Sequence, residues 1–537
     1  MEQYRMCELS FTGKKLEDHW AQIDLKGMFC CGDRKLTVTG FYAGDGVYKV
    51  RFLPDQAGTW SYRIFGCVEA EGTVEVAPAE SVCQKETSRA LFAGSSDQGE
   101  TLPAPFTGRP RKSHGLVRAE GQHFVYQDGK PFYPFGTTVY ALMHQEDSLV
   151  AKTMESLKGA PFNKVRFCVF PKHYDFNHNE PPVYAFEKKE DGSWDVNRPC
   201  FAFWDRLDEI LCKLEEMEIQ ADLILFHPYD RWGFSRMPGE DNLIYLDYLL
   251  RRLAARPNVW WSLANEYDLC SAKSLKDWEE IECFVAEHDP YRHLLSNHNC
   301  FVFWDFSRPN VSHVSVQTKM LTRVSEWRQK YQKPVVVDEC CYEGNIRHFW
   351  GSISGKEMIN RFWRVVTMGG YCTHGETFLN PEKEILWWSR GGVLKGESPA
   401  RIAFLRSIVE ELPGPIEPAE VWATKVLHAS PEEKERLLVH GDHFVKAMLR
   451  MGDELKDFCA SEFTYQGHCK EDAYLTFYDL RTCTEDVLEL PEDKVYRVEL
   501  IDTWEMTRTV LLERASKKTQ LALPGKEGMA VLAVRIE

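Results

Sequence analysis

The chain has 537 residues, of which 44% are hydrophobic and 27% are charged. This length predicts two to four domains of ordinary globular composition. The formal net charge of −16 argues against nucleic acid and anionic membranes as partners, because both repel an acidic surface. The sequence contains no run of 18 apolar residues, so it predicts no membrane span.

The N-terminus and the cysteines bear on location and cofactors. Residues 1–6 (MEQYRM) lack the apolar region and small-residue cleavage site of a secretory signal. The 17 cysteines are scattered along the chain without metal-binding spacing, which is typical of reduced thiols. We therefore expect a cytoplasmic protein with no cofactor and no metal. A homo-oligomer stays an open alternative.

Residues 1–93 predict an N-terminal β-sandwich. Short alternating or β-branched runs occupy residues 35–39, 46–52 and 59–64, with glycine turns between them. Residues 94–112 contain a Gly-Ser-Asp stretch followed by three prolines, which is typical of a linker.

Between residues 113 and 413, short apolar runs alternate with amphipathic helical segments. The predicted strands lie at 133–136, 164–169, 221–226, 259–264, 293–296, 311–316, 334–337 and 370–373. Predicted helices at 204–217, 243–255, 275–287 and 356–367 fit gaps between them. Eight such units predict an α/β fold, the (β/α)8 TIM barrel. The rival is a doubly wound sheet, but no glycine-rich phosphate loop follows an early strand.

The last part of the chain returns to strand-like runs beyond residue 413. Residues 414–537 therefore predict a C-terminal β-sandwich. The expected architecture is a catalytic barrel at 113–413 flanked by a sandwich on each side.

Two predicted barrel strands end in a glutamate. Residues 259–266 (VWWSLANE) end in Asn265-Glu266, and residues 333–339 (KPVVVDE) end in Asp338-Glu339. Reacting groups in such barrels lie at the carboxyl ends of the strands, and strands 4 and 7 face each other. Retaining glycosidases hold two carboxyl groups about 5 Å apart, one as nucleophile and one as acid/base. The alternative is a pair of rim or ion-paired carboxylates. Because Asp338 precedes Glu339 on its strand, its side chain should point away from that of Glu339.

Other polar or aromatic residues follow the predicted strand ends and could contact a sugar. These candidate substrate-binding residues are Asn265, Arg166, His144, His227, His298, Gln317, Tyr342, His374, Glu376 and Trp388. Some of these also have a structural alternative: His227, His298 and His374 as core residues, Arg166 in an ion pair, and Glu376 as a supporting or surface carboxylate. Trp387 and Trp388 are adjacent, so we expect one of them in the core.

The motifs resemble a known family. Asn265-Glu266 and Glu339 at the ends of strands 4 and 7 resemble clan A retaining glycoside hydrolases. Residues 136–145 (GTTVYALMHQ), 339–344 (ECCYEG), 386–392 (LWWSRGG) and 396–399 (GESP) resemble the apiosidase-like members. Residues 40–52 (GFYAGDGVYKVRF) resemble the β-sandwich often fused before those barrels, and the C-terminal part resembles the sandwich that follows.

The resemblance implies roles. Glu266 matches the acid/base, Glu339 the nucleophile, and Asn265 the residue that binds the hydroxyl beside the anomeric carbon. It implies a retaining exo-glycoside hydrolase acting on a terminal sugar of an oligosaccharide or plant glycoside. Some apiosidase-like members carry Asp where this chain has Glu266, a departure that argues against apiose itself and leaves the retaining mechanism intact. The implied sugar is apiose or another pentose or furanose. The alternatives are a transglycosylase on the same site and a non-catalytic carbohydrate-binding barrel.

Overall fold

The computed structural model describes residues 1–79, 113–379, 385–419, 426, 429–451 and 465–537. The linker predicted at 94–112 lies outside these ranges, and the predicted domain boundaries stay predictions. None of the helices in the described ranges has both the length and the apolar character needed to span a bilayer.

The N-terminal part forms two antiparallel sheets. Its strands are β1 (Cys7–Thr12), β2 (Leu25–Cys31), β3 (Arg34–Thr39), β4 (Phe41–Tyr42), β5 (Val47–Phe52), β6 (Gly58–Gly66) and β7 (Ala70–Val76). The sheet orders are β1-β5-β4 and β3-β2-β6-β7. Alternate side chains of these strands are buried, as in β2 and β6. Phe29 on one sheet stacks on Phe52 of the other at 4.0 Å, which confirms the predicted sandwich.

The central part contains alternating strands and helices. Its strands are β8 (Val117–Glu120), β9 (His123–Tyr126), β10 (Pro131–Phe132), β11 (Phe135–Thr138), β12 (Lys164–Cys168), β13 (Phe186–Lys188), β14 (Trp194–Pro199), β15 (Gln220–Phe226), β16 (Val259–Ala264), β17 (Leu295–Ser296), β18 (Val314–Gln317), β19 (Val335–Glu339), β20 (Glu343–Gly344), β21 (Tyr371–His374) and β22 (Glu376–Thr377). Its helices are α1 (Asp147–Lys158), α2 (Phe201–Glu216), α3 (Gly239–Leu253), α4 (Leu275–His288), α5 (Val324–Tyr331), α6 (Gly355–Thr367), α7 (Trp387–Arg390) and α8 (Ser398–Glu411).

Eight of these strands form one parallel sheet. Its order is β17-β16-β15-β12-β11-β21-β19-β18. An isolated parallel bridge between His298 and Ser315 joins its two ends, so the sheet is a near-closed barrel. The strands are continuously buried, as expected for a parallel sheet covered by helices. The predicted (β/α)8 fold is therefore confirmed.

The C-terminal part is mainly antiparallel sheet. Its elements are β23 (Glu417–Pro418), α9 (Pro431–His440), α10 (His443–Arg450), β24 (Tyr465–Cys469), β25 (Ala473–Phe477), β26 (Glu485–Glu489), β27 (Tyr496–Asp502), β28 (Thr507–Ala515), β29 (Lys518–Ala522) and β30 (Met529–Arg535). The larger sheet has the order β23-β24-β25-β30-β27-β28, and β26 pairs with β29. Phe477 of this sheet stacks on Trp363 of α6 at 5.6 Å, which joins the domain to the barrel.

Helices α9 and α10 were not predicted, because residues beyond 413 were expected to be strands. The sequence nevertheless carries their start signals. Ser430 caps α9 by accepting a hydrogen bond from the Glu433 amide at 3.2 Å, and Pro431 occupies the first helical position. Asp442 caps α10 in the same way through the Val445 amide, at 2.8 Å.

A buried ionic layer fills the barrel interior. Lys164 contacts Asp338 at 2.6 Å and Asp222 at 2.8 Å, and Arg166 lies 3.2 Å from Asp222. Asp338 also accepts hydrogen bonds from the hydroxyls of Ser315 and Thr373. Burial opposes ionisation of Asp338, but Lys164 and Arg166 hold its pKa well below the ordinary value. Two cations and two carboxylates thus balance each other inside the barrel.

We expect Asp338→Ala to destabilise the protein by about 3–5 kcal/mol, because removing one partner leaves a buried cation uncompensated. The loss should appear as a lower midpoint for barrel unfolding, followed by circular dichroism in urea. Lys158→Ala is the control, since Lys158 pairs with Glu155 on the surface and such pairs contribute at most about 1 kcal/mol. Equal shifts in the two variants would contradict the prediction.

Candidate active site

A cavity of about 360 Å³ opens at the carboxyl ends of the barrel strands. It is lined by Tyr140, Lys172, Tyr174, Asp175, Phe176, Tyr229, Asn265, Glu266, Gln317, Glu339, Tyr342, Ile346, His348, Trp350, Gly351 and Trp388. Six predicted site residues are among these: Glu266, Glu339, Asn265, Gln317, Tyr342 and Trp388. Within the described ranges, no group of three or more histidine, cysteine or carboxylate side chains is placed to hold a metal ion.

A larger groove of about 790 Å³ lies at the opposite end of the barrel. Its walls include Tyr133 and Phe162, which precede β11 and β12, and Leu412, which follows α8. Reacting groups in (β/α)8 barrels lie at the other face, where the strands end. We therefore assign the chemistry to the smaller cavity.

The two glutamates occupy the ends of facing strands. Glu266 follows Asn265 directly after β16, and Glu339 is the last residue of β19. Both are buried, with 6% and 4% of their surface exposed. Glu266 has φ 54° and ψ 58°, a left-handed backbone conformation that is unusual for a residue with a side chain. From this turn Glu266 lines the cavity.

Glu339 is surrounded by donors that favour its charged form. The Tyr140 hydroxyl donates to Glu339 Oε1, and the Tyr342 phenol lies 3.4 Å from the Tyr140 hydroxyl. Burial raises the pKa of Glu339 above its ordinary value, and the negative charge of Glu266 raises it further. The Tyr140 and Tyr342 phenols and the Arg166 guanidinium act in the opposite direction and lower that pKa. These contacts reduce the effect of burial but do not cancel it, and the pKa of Glu339 is raised to about 7.

Glu266 is connected to Glu339 through polar side chains. The Tyr229 hydroxyl donates to Glu266 Oε2, and Asn265 Nδ2 donates to the same oxygen at 3.1 Å. The amide oxygen of Asn265 lies 3.0 Å from the Tyr140 hydroxyl, which in turn contacts Glu339. Each glutamate thus has a tyrosine of its own, and the Asn265 amide joins the two halves.

Aromatic rings and unpaired polar atoms form the rest of the cavity wall. Trp388 packs against Tyr342 at 5.3 Å and against Tyr140 at 5.8 Å. The indole nitrogens of Trp350 and Trp388 and the Gln317 amide oxygen are buried and have no hydrogen-bond partner within the described segments. An apolar ring beside unpaired polar groups is a surface suited to a sugar. The adjacent Trp387 is buried, and its indole nitrogen donates to Thr137 Oγ1 at 2.9 Å.

The structure does not bring four of the predicted residues to the cavity. His144 Nε2 lies 3.3 Å from the Cys168 carbonyl, and His227 Nε2 lies 3.1 Å from the Phe170 carbonyl. His374 stacks on Phe162 at 4.9 Å. Burial lowers the pKa of all three histidines, which favours neutral core residues. Glu376 accepts hydrogen bonds from the Lys395 and Gly396 amides at 2.6 and 2.7 Å. It anchors a loop and does not line the cavity.

Arg166 and His298 lie beside Glu339 without lining the cavity. Arg166 is fully buried and belongs to the ionic layer, from which its charge favours the ionised form of Glu339. His298 Nε2 lies 4.0 Å from Glu339 Oε1, and neither ring nitrogen has a hydrogen-bond partner in the described part of the chain. Burial holds the pKa of His298 well below its ordinary value. Both residues are therefore placed to act on Glu339 rather than on a sugar.

Several cavity residues were not predicted as site residues. Tyr140 lies two positions beyond β11, within residues 136–145 (GTTVYALMHQ), the segment that resembles the apiosidase-like members. Tyr229 lies two residues after His227, beyond the end of β15. Lys172, Tyr174 and Trp350 belong to longer connections after β12 and β19, where sequence alone gives no sign of which side chains turn inward.

Comparison with known proteins gives consistent matches. The model described as "Apiosidase-like, catalytic domain" matches residues 118–387. Two domains of unknown function, DUF5060 and DUF5605, match residues 1–65 and 462–536. No curated protein matches the chain significantly.

Solved structures extend this likeness over the whole chain. A protein of Bacteroides vulgatus ATCC 8482, provisionally described as a glycoside hydrolase, is 32% identical with a TM-score of 0.81. That match covers 100% of this chain and 99% of that one. A glycoside hydrolase family 5 protein of the same organism is 14% identical, with a TM-score of 0.57 and coverage of 78% and 94%. Another structure described as a glycoside hydrolase gives the same score and identity, over 79% and 97%. At 14% identity, the last two show the fold alone.

Proposed function

Because the chain belongs to the apiosidase-like family and carries a glycoside hydrolase catalytic domain, we propose that it hydrolyses a terminal glycosidic bond with retention of configuration. Glu339 is the proposed nucleophile and Glu266 the proposed acid/base. The observation that supports this proposal is the pair of buried glutamates that share one cavity at the ends of β16 and β19.

The contacts favour this division of roles. A nucleophile must be ionised to attack the anomeric carbon, and Glu339 faces two phenols and the Arg166 guanidinium, all of which favour its anion. Glu266 protonates the departing oxygen, and its carboxylate afterwards activates water against the glycosyl-Glu339 ester. Asn265 supports a hydroxyl of the sugar between them.

The size of the cavity favours action on a chain end. Its volume of about 360 Å³ is near the lower limit of ligand sites, which span about 300–1,000 Å³. A cavity of this size suits a terminal sugar better than the middle of a long polymer. The proposed substrate class is a terminal pentose or hexose, in furanose or pyranose form.

A panel of aryl glycosides tests the proposal. Wild-type protein should release the aryl group from at least one pyranoside or furanoside, and Glu339→Gln, purified in parallel, should not. Proton NMR of the first sugar released should show the anomer of the substrate. The opposite anomer, observed before mutarotation, would establish inversion and refute the double displacement. An added alcohol acceptor separates hydrolysis from transglycosylation, because transfer would yield the alkyl glycoside instead of the free sugar.

A further inference from the structure

Lys172 is a buried cation in the wall of the cavity. Only 2% of the surface of Lys172 is exposed. Its ammonium group lies 3.5 Å from the ring centre of Tyr140, 4.2 Å from Tyr229, 4.6 Å from Tyr174 and 5.7 Å from Trp388. We call these four rings the Lys172 cage. In the described ranges the ammonium forms no ion pair, so the rings are its immediate surroundings.

Two rings of the cage belong to the tyrosines that bind the glutamates. Tyr140 donates to Glu339 and Tyr229 donates to Glu266. Lys172 therefore contacts the face of one phenol on each side of the catalytic pair. Lys172 is neither the proposed nucleophile nor the proposed acid/base.

We propose that Lys172 is a positioning residue that, through the Tyr140 and Tyr229 rings, strengthens the hydrogen bonds to Glu339 and Glu266 and favours the ionised form of these carboxylates. This inference rests on the proposed function for its catalytic meaning, but the geometry that carries it does not depend on turnover.

The physical basis is the polarisation of a phenol by a cation. An ammonium over an aromatic face is attracted to the ring, by about 2 kcal/mol or more when desolvated. It withdraws electron density from the ring, so the hydroxyl becomes a stronger donor to a carboxylate, and linked hydrogen bonds strengthen one another. Stronger donors and a nearby positive charge both favour the ionised carboxylate. Lys172 thus acts in the same direction on both glutamates.

Other charged and titratable groups face the same region and must be kept constant in any test. Burial lowers the pKa of Lys172 itself, and the charges of Glu266 and Glu339 oppose that change. The groups that face Lys172 or the pair are Tyr140, Arg166, Cys168, Tyr174, His227, Tyr229, Glu266, His298, Cys300, Glu339 and Tyr342. A substitution at Lys172 leaves the identity of all these side chains unchanged.

The test uses Lys172→Met, which keeps the length of the side chain and removes its charge, and Lys172→Arg, which restores a cation. Lys188→Met is the control, because Lys188 lies over Trp194 at 5.0 Å on an exposed strand. Infrared difference spectra of the full-length protein, recorded against pH, report protonation of the pair. Glu266→Gln and Glu339→Gln variants assign the carboxyl bands.

We expect Lys172→Met to raise the apparent pKa of the glutamate pair by about one unit, since a lost neighbouring cation favours the protonated carboxyl. The acidic limb of kcat/KM should move upward by the same amount, and Lys172→Arg should restore both. Lys188→Met should change neither. An unchanged carboxyl titration in a folded Lys172→Met protein would overturn the inference, as would Lys172→Arg behaving like Lys172→Met.

The two readouts separate this inference from the proposed function. A spectral shift in a protein that cleaves no glycoside supports the role of Lys172 and refutes the hydrolase. Normal turnover with a higher KM, and with no shift in either titration, refutes the inference and leaves the hydrolase intact. In that case Lys172 would only contact the sugar.

Discussion

Glu339→Ala should abolish hydrolysis of every glycoside that the wild-type protein cleaves. Without this carboxylate no glycosyl-enzyme can form, so the loss should exceed the upper range of about 10⁴-fold for removing an acid/base group. It should not depend on the leaving group, because the missing step is the attack itself. Rates measured with aryl and alkyl glycosides of the same sugar test this directly.

Azide gives Glu339→Ala a distinctive product. The small anion can occupy the space of the missing carboxylate and attack the anomeric carbon from the same face. Glu266 still protonates the departing group, so we expect a glycosyl azide of inverted configuration, identified by NMR. Glu343→Ala is a suitable comparison, because this buried carboxylate accepts hydrogen bonds from the Glu397 and Ser398 amides outside the cavity. Azide rescue in Glu343→Ala as well would contradict a specific role for Glu339.

Glu266→Ala should show a loss that depends on the leaving group. Proton donation contributes about 10²- to 10⁴-fold, and a nitrophenolate departs without a proton whereas an alkoxide does not. The first step should therefore survive for nitrophenyl glycosides and fail for alkyl glycosides. The second step lacks its base, so the glycosyl-enzyme should accumulate and be visible by intact-protein mass spectrometry.

The same variant should respond to azide with the opposite stereochemistry. Azide needs no base, so it should attack the accumulated ester on Glu339 and yield a glycosyl azide of retained configuration. Plots of rate against the pKa of the leaving group should be steep for Glu266→Ala and shallow for the wild-type protein. If the two alanine variants lose activity equally on all leaving groups and neither responds to azide, the roles of Glu266 and Glu339 are wrong.

The barrel could be predicted from the sequence because its strands are short and apolar and most of them are separated by amphipathic helices. The ends of those strands identify the positions of Glu266 and Glu339, since a parallel barrel brings every carboxyl end to one face. The same rule placed His227 and His374 at strand ends, but it does not say which way a side chain turns. His227 turns toward the Phe170 carbonyl, and His374 turns toward Phe162.

The aromatic half of the site depends on the long connections. Lys172 and Tyr229 line the cavity from the connections that follow β12 and β15. No periodicity marks such positions, since loop conformation follows from packing against the rest of the fold. A lysine in a loop is usually a solvated surface residue, and only the folded structure shows that Lys172 is buried.

The left-handed backbone at Glu266 has a consequence for how the protein tolerates change. A residue with a side chain held at φ 54° costs about 1–3 kcal/mol relative to a relaxed backbone. Glycine adopts that conformation freely, so Glu266→Gly should be more stable than Glu266→Ala although neither has a carboxylate. Selection for thermal stability alone would thus favour losing the side chain that we assign to proton transfer. Laboratory evolution of this barrel toward higher melting temperature therefore requires a simultaneous demand for turnover, because stability and activity are opposed at this one backbone position.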